Sequence, residues 1–289
     1  MEITHTIEDT REKIKQARTA GRKIGFVPTM GYLHRGHLSL VEEARKLADY
    51  QVMSIFVNRI QFNDPRDFDT YPRDLERDFA MARDAGVDLM FVPDDREMYR
   101  NPLTCVDMET LPEHLCGAAR PGHFRGVFTV VSKLFNIVQP DCAVFGQKDI
   151  QQAVSIEKMT VDLNFPVRVV IAPTVREEDG LAMSSRNKRL SPEERSRATV
   201  IFRGLEAARG LISGGEKSAA VLLGMLREVI ESGRPRAIDY TEMVDYETLQ
   251  PADALGEKSV IAAAVFFGNT RLIDNMLILR EGPGYRCVY

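Results

Sequence analysis

The chain has 289 residues, 44% of them apolar, with 38 Lys and Arg against 42 Asp and Glu for a formal charge of -4. That length fills one large α/β domain or two smaller ones, and the acidic balance excludes a general phosphate-tracking surface for nucleic acid, so any anion site must be local. The longest strongly apolar run, VIAAAVFF from residue 260, falls far short of the roughly 20 residues that span a bilayer.

Thr6 followed by Asp9 reads as a helix start, and Ile7, Ile14 and Ala17 keep helical spacing toward Gly21. Short apolar runs then recur as buried strands: KIGFVP from 23, QVMSIFV from 51, DLMFV from 88, CAVFG from 142 and VRVVIAP from 167. Helix-like stretches separate them, beginning near residues 37, 72, 125 and 149. This alternation predicts an α/β fold, a Rossmann-like parallel sheet with helices on both faces. After Pro173 the pattern changes. Ser191, Pro192 and Glu194 form a capping-box helix start, a second helix follows Gly214 and Gly215, and three strand-like runs close the chain. The expected division is 1–175 for the Rossmann-like domain and 176–289 for a smaller C-terminal α+β domain acting as a lid. Cys105, Cys116, Cys142 and Cys287 are too scattered for a disulfide framework or a zinc site, and the first turns lack the apolar core of a secretory signal. A cytoplasmic protein without a resident metal is expected.

The loop after the first long strand reads PTMGYLHRGH, residues 28 to 37. In open α/β sheets ligands bind beyond the carboxyl ends of the strands, where a helix N-terminus favours negative charge. Gly31 and Gly36 allow close approach, and His34 and His37 add donors suited to phosphate. Two other readings stand beside this one: ordinary polar loop residues, or an H-x-x-H metal pair, which lacks an acidic third ligand. A second segment, GLAMSSRNKRL from 180, offers Ser184, Ser185, Arg186, Lys188 and Arg189 as an anion-gripping loop, with a solvated basic loop before a helix as the other reading.

Leu33 to His37 resembles the H-x-G-H signature of the nucleotidyltransferase superfamily, and Met183 to Arg186 its K-M-S-K-S counterpart. PTMGYLHRGH, FVNRIQF, YPRD, RPGHFRGV, FGQKDIQQ, DGLAMSSRN and RLIDN stand in the order of the pantothenate synthetase family, so the resemblance covers nearly the whole chain. It implies a soluble homodimeric ligase that uses ATP with Mg2+ to convert pantoate into an enzyme-bound adenylate, releasing pyrophosphate. β-Alanine then displaces AMP. It implies ATP contacts at Met30, His34, Gly36, His37, Gly146, Lys148, Asp149, Val175, Met183, Ser184, Ser185 and Arg186, with pantoate at Pro28, Thr29, Met30, Gln61, Phe62 and Gln152. His34, His37, Lys148, Ser184, Ser185 and Arg186 are the candidates for stabilising charge on the α-phosphate and the leaving pyrophosphate.

Several residues keep two readings. Asp149 is expected to cap a helix, to contact ribose, or both. Arg120, His123 and Arg125 are candidates for the β-alanine carboxylate, or for packing their loop. Acidic Mg2+ ligands are not identifiable, since the metal can bind through triphosphate oxygens and water. The alternatives at the level of function are an adenylyl- or cytidylyltransferase acting on a phosphorylated substrate and a nucleotide-binding regulator without turnover. Partners are expected to be small molecules, with neither nucleic acid nor membrane. One departure concerns FVNRIQF: the family usually has proline where this chain has Arg59, which puts the rigidity of the Gln61 loop in question.

Overall fold

The computed structural model describes residues 1–63 and 65–289, with the side chain of Pro112 also outside the description. Packing divides the chain into two compact units: residues 1–109, 120–146 and 155–172 form the first, and residues 110–119, 147–154 and 173–289 form the second. A single cut at residue 175 does not capture this division, because two short segments leave the first part of the chain to join the second unit. The helix Ile150–Asp162 is itself shared, belonging to the second unit through Val154 and to the first from Ser155.

The first unit is built on six parallel strands: β1 (Glu2–Thr4), β2 (Ile24–Thr29), β3 (Tyr50–Ile55), β4 (Leu89–Phe91), β5 (Cys142–Gly146) and β6 (Arg168–Ala172). Their order is β1-β4-β3-β2-β5-β6. All six residues of β3 are buried, as expected of a central parallel strand covered on both faces. Strand alternation directs Gly25 and Val27 of β2 to one face and Ile24 and Phe26 to the other. On the first of these faces Val27, Met53, Met90 and Val144 pack with Leu40, Val41 and Ala44 of the helix Arg35–Arg45 and Ala82 of the helix Leu75–Asp84. Each such buried aliphatic side chain contributes about 1.5–3 kcal/mol. Gly25 allows the close approach: a Cβ there would lie 2.7 Å from Gln51 Oε1 and 3.1 Å from Ala48 Cβ.

The chain runs outward from β2 through β3 to β4 and then returns to add β5 on the other side of β2. That reversal creates a switch point between β2 and β5, the position at which open parallel sheets bind ligands. Phe26 pairs with Ala143, so three residues onward Thr29 and Gly146 end the two strands together.

The first helix covers Ile7–Thr19, with the Thr6 hydroxyl accepting the Asp9 N–H at 3.1 Å. The second unit carries the predicted capping box at Ser191 and Glu194 before the helix Pro192–Arg197. Its antiparallel sheet joins β7 (Ala237–Asp245), β8 (Lys258–Phe267), β9 (Thr270–Glu281) and β10 (Gly284–Val288) in the order β10-β9-β8-β7. Ile261, Val265 and Met276 of this sheet pack against Leu205, Leu222 and Leu226 of the helices Val200–Ser213 and Ala219–Ser232. Among the described residues no helix is long and apolar enough to cross a membrane.

Candidate active site

At the end of β2 the backbone turns sharply, with Gly31 at φ 82° and Tyr32 at φ 52°. A Cβ on Gly31 would fall 2.9 Å from Ile55 Cγ2 and 3.1 Å from Asp78 Oδ2, so only glycine fits. The turn is held by Asp78, whose carboxylate is 1% exposed and accepts the Tyr32 N–H on Oδ2 and the Leu33 N–H on Oδ1, both at 2.7 Å. Burial raises the Asp78 pKa, while the two backbone donors and the neighbouring Arg77 pull it back down. Arg77 also donates to the Leu33 carbonyl at 2.9 Å.

That clamp delivers His34 and His37 to the N-terminus of the helix Arg35–Arg45. His34 is the N-cap, and its Nδ1 accepts the Gly36 N–H at 3.2 Å. His37 Nδ1 reaches back to accept the His34 N–H at 3.3 Å. The two imidazoles thus form a reciprocal capping box, with ring centroids 4.1 Å apart. Because each Nδ1 accepts, each ring carries its proton on Nε2. A helix N-terminus therefore carries two half-buried Nε2–H donors in addition to its own dipole.

The other side of the switch point is open. A Cβ on Gly146 would meet only Leu40 Cδ2, at 4.0 Å, so packing does not require glycine there. Beside Met30 and Tyr32 lies a cavity of about 260 Å³, walled by Ile55, Phe56 and Val57 and reached by Arg73.

Gln61 is 8% exposed and closes the turn Arg59–Gln61. Its Oε1 accepts from Asn58 Nδ2 at 2.9 Å and its Nε2 approaches Met30 Sδ at 3.3 Å. Phe62 stacks edge-on against Phe68 and Tyr71. RPGHFRGV holds this loop from behind. Gly126 lies so close that a Cβ would be 2.6 Å from the Ile60 carbonyl oxygen and 2.7 Å from Gln61 Cα. His123 donates from Nδ1 to the Gln61 carbonyl at 2.8 Å, and its Nε2 accepts from Arg120 at 3.2 Å. Arg125 Nε lies 4.0 Å from Asp107.

The remaining predicted residues sit in the second unit. Lys148 Nζ lies 3.2 Å from Asp149 in the turn Gln147–Asp149, and Gln152 is half-buried in the next helix. Asn275 fixes this turn by donating to the Gln147 carbonyl at 2.8 Å and the Lys148 carbonyl at 3.0 Å. Its neighbour Asp274 makes a two-pronged pair with Arg176 at 2.6 and 3.0 Å. Met183 N–H bonds the Val175 carbonyl at 2.9 Å, which ties the start of the serine/basic loop. Ser184 then caps the turn Ser185–Arg189 by accepting the Arg186 N–H at 3.2 Å. Ser184, Ser185 and Arg186 are half-buried. Pro28, Thr29, Met30, His34, Gly36, His37, Gln61, Phe62 and Gly146 thus fall in the first unit, and Lys148, Asp149, Gln152, Val175, Met183, Ser184, Ser185 and Arg186 in the second.

Asp78, Asn58, Tyr99 and Asn275 were not identified from sequence as site-forming residues. Asp78 carries a readable signal, being an acid four residues before Ala82 on the buried stripe of its helix. Among the described residues no group of three or more His, Cys, Asp or Glu side chains could hold a metal ion.

Comparison with known proteins places these features in context. The profile of the family described as pantoate-beta-alanine ligase matches residues 2–277. A pantothenate synthetase of Heliobacterium modesticaldum is 54% identical over 279 residues, covering 96% of this chain and 99% of that relative. The crystal structure of pantothenate synthetase from Thermus thermophilus superposes with a TM-score of 0.90 at 46% identity, covering 95% of this chain and 98% of that one. The Francisella tularensis ligase, solved with beta-gamma ATP and beta-alanine, superposes with a TM-score of 0.79 at 33% identity, over 98% of this chain and 100% of that one.

Proposed function

This chain belongs to the pantoate-beta-alanine ligase family and is an ATP-dependent ligase that joins pantoate to β-alanine, and we propose that its residues divide the work as follows. A pantoate carboxylate oxygen bonds the α-phosphorus of ATP as the bond to the bridging oxygen breaks, giving pantoyl-adenylate and pyrophosphate. The β-alanine nitrogen then bonds the acyl carbon, AMP leaves, and the amine gives up a proton to solvent.

The observation that carries this assignment is the imidazole capping box. His34 and His37 have their Nδ1 atoms committed to the helix backbone, so their Nε2–H groups serve as fixed donors to phosphate oxygens. Donors set in place beforehand stabilise the charge that builds on the α-phosphate and pyrophosphate, about 10²- to 10³-fold in rate for each one lost. Lys148, Ser184, Ser185 and Arg186 supply further positive charge and donors. Gly146 admits the nucleotide closely, and Asp149 accepts from the ribose. Met183 and Val175 flank the nucleotide. Gln61, Gln152, Met30 and Phe62, with Pro28 and Thr29, receive pantoate; neutral amides bind an acid and a hydroxyl without repelling either. No acid-base catalyst is needed for adenylation, because a carboxylate is already nucleophilic and pyrophosphate leaves readily. Orientation carries most of the rate.

The described side chains form no metal cage, so Mg2+ would arrive on the triphosphate, neutralising part of its charge. We place the enzyme in the cytoplasm as a homodimer; none of its four cysteines is in a disulfide, which suits a reducing compartment. The test is isotopic. Pantoate labelled with 18O in its carboxylate should transfer one labelled oxygen to AMP in every turnover, and unlabelled AMP would exclude the adenylate route.

A further inference from the structure

The polarity of the Gln61 amide can be traced to a group that cannot change sign. Gly126 presents a backbone carbonyl, which only accepts, and Asn58 Nδ2 donates to it at 3.0 Å. The Asn58 Oδ1 must then face the other way, where it accepts the Tyr99 hydroxyl at 2.7 Å. The second N–H of Asn58 goes to Gln61 Oε1 at 2.9 Å. Gln61 therefore turns its oxygen inward and its NH2 toward Met30 Sδ, a weak acceptor that competes little for those protons. Asn58 is 1% exposed, so no solvent is at hand to substitute for a lost partner. The Tyr99 ring is held by Phe56, with centroids 6.0 Å apart, and by the Lys133 ammonium 5.8 Å above it. Burial, reinforced by the Asp95 carboxylate, raises the phenol pKa and keeps Tyr99 a donor.

We propose that Tyr99 is a positioning residue for pantoate: acting through Asn58, it locks the Gln61 carboxamide with its N–H donors toward the acceptor oxygens of the acid. Reversed, the same amide would set a carbonyl against a carboxylate. The inference rests on the assignment of Gln61 to pantoate.

The experiment is a double-mutant cycle on the full enzyme with Tyr99→Phe, Gln61→Ala and the pair, reading KM for pantoate and for ATP. KM does not depend on the fraction of enzyme that is folded, so partial destabilisation of any variant leaves the readout intact. Tyr99→Phe keeps the ring and removes only the hydroxyl. It should raise pantoate KM about 3- to 10-fold, the worth of one net hydrogen bond, with ATP KM within about twofold. In the Gln61→Ala background it should add nothing, because the group it orients is gone. Additive effects, or an unchanged pantoate KM in Tyr99→Phe alone, would overturn the proposal. An unchanged pantoate KM in Gln61→Ala would overturn the assignment of Gln61 itself, a separate failure.

Discussion

Asp78→Asn removes the charge from the clamp on the histidine loop while keeping its shape. Two backbone N–H groups depend on that carboxylate, at 2.7 Å each. An amide can accept one of them through its oxygen and must set its NH2 against the other. The change therefore loses one charge-assisted bond, about 1.5–3 kcal/mol, and strands a buried donor, while it recovers part of the cost of burying a carboxylate. A net loss of about 2 kcal/mol follows, or a fall in Tm of about 4–8 °C. From a typical stability of about 5–15 kcal/mol this leaves nearly all the enzyme folded at 25 °C. Unfolding alone cannot then explain a large loss of activity. Displacing His34 and His37 by about 1 Å can, and ATP-pyrophosphate exchange should fall about 10²-fold. A second signature is the pH dependence of stability. Because the folded Asp78 pKa is raised, the folded chain binds the proton more tightly than the unfolded one. Wild-type stability should decline as pH rises from the ordinary carboxylate range through the raised value, and Asp78→Asn should lack that decline. Normal exchange in a variant with the expected lower Tm would reduce Asp78 to a stabilising residue; unchanged Tm and exchange together would refute the clamp.

Asn275→Asp replaces the donors that hold the Gln147 and Lys148 carbonyls with an acceptor, so ATP KM should rise about tenfold and pantoate KM much less; an unchanged ATP KM would contradict this. Gly146→Ala should leave Tm within about 1 °C, since its Cβ meets only Leu40, yet weaken ATP binding measured by calorimetry, whereas Gly126→Ala should cost about 1–3 kcal/mol against the Ile60 carbonyl. Arg59→Pro tests the departure in the Gln61 loop. Asn58 already has φ -76° and ψ 102°, which proline accepts in the following position, so about 0.4–1 kcal/mol of unfolded-state gain offsets the loss of the Arg59 guanidinium 5.5 Å from the Phe68 ring. Thermal unfolding should show a Tm shift within about 3 °C, and a larger fall would mean that the loop has been rebuilt around arginine.

The long strands and most helix starts were legible because their causes are local. Thr6, Ser191 and the apolar runs of β2, β3 and β5 each carry their own signal. By contrast β1 has three residues and exists only through its pairing with β4, and β10 is a mixed polar segment ordered by its register with β9. The helix expected from residue 72 begins at Leu75, with Asp74 as its N-cap. At the site, the histidine motif was readable because its glycines and helix start are adjacent in sequence. What fixes it was not: Asp78 lies 45 residues from Leu33, and Asn275 lies 128 from Gln147. RPGHFRGV shows the same limit. Only the folded chain reveals that its Gly126 lies against the backbone of Ile60 and Gln61.

The most direct measurement is ATP-pyrophosphate exchange with pantoate and no β-alanine, run beside a panel of other small carboxylic acids. The account predicts exchange that depends on pantoate and falls about 10²- to 10³-fold in His34→Ala or His37→Ala, with stability lowered by no more than the loss of a helix cap, about 1 kcal/mol or about 2–4 °C in Tm. Exchange independent of pantoate, or undiminished in both histidine variants, would contradict it.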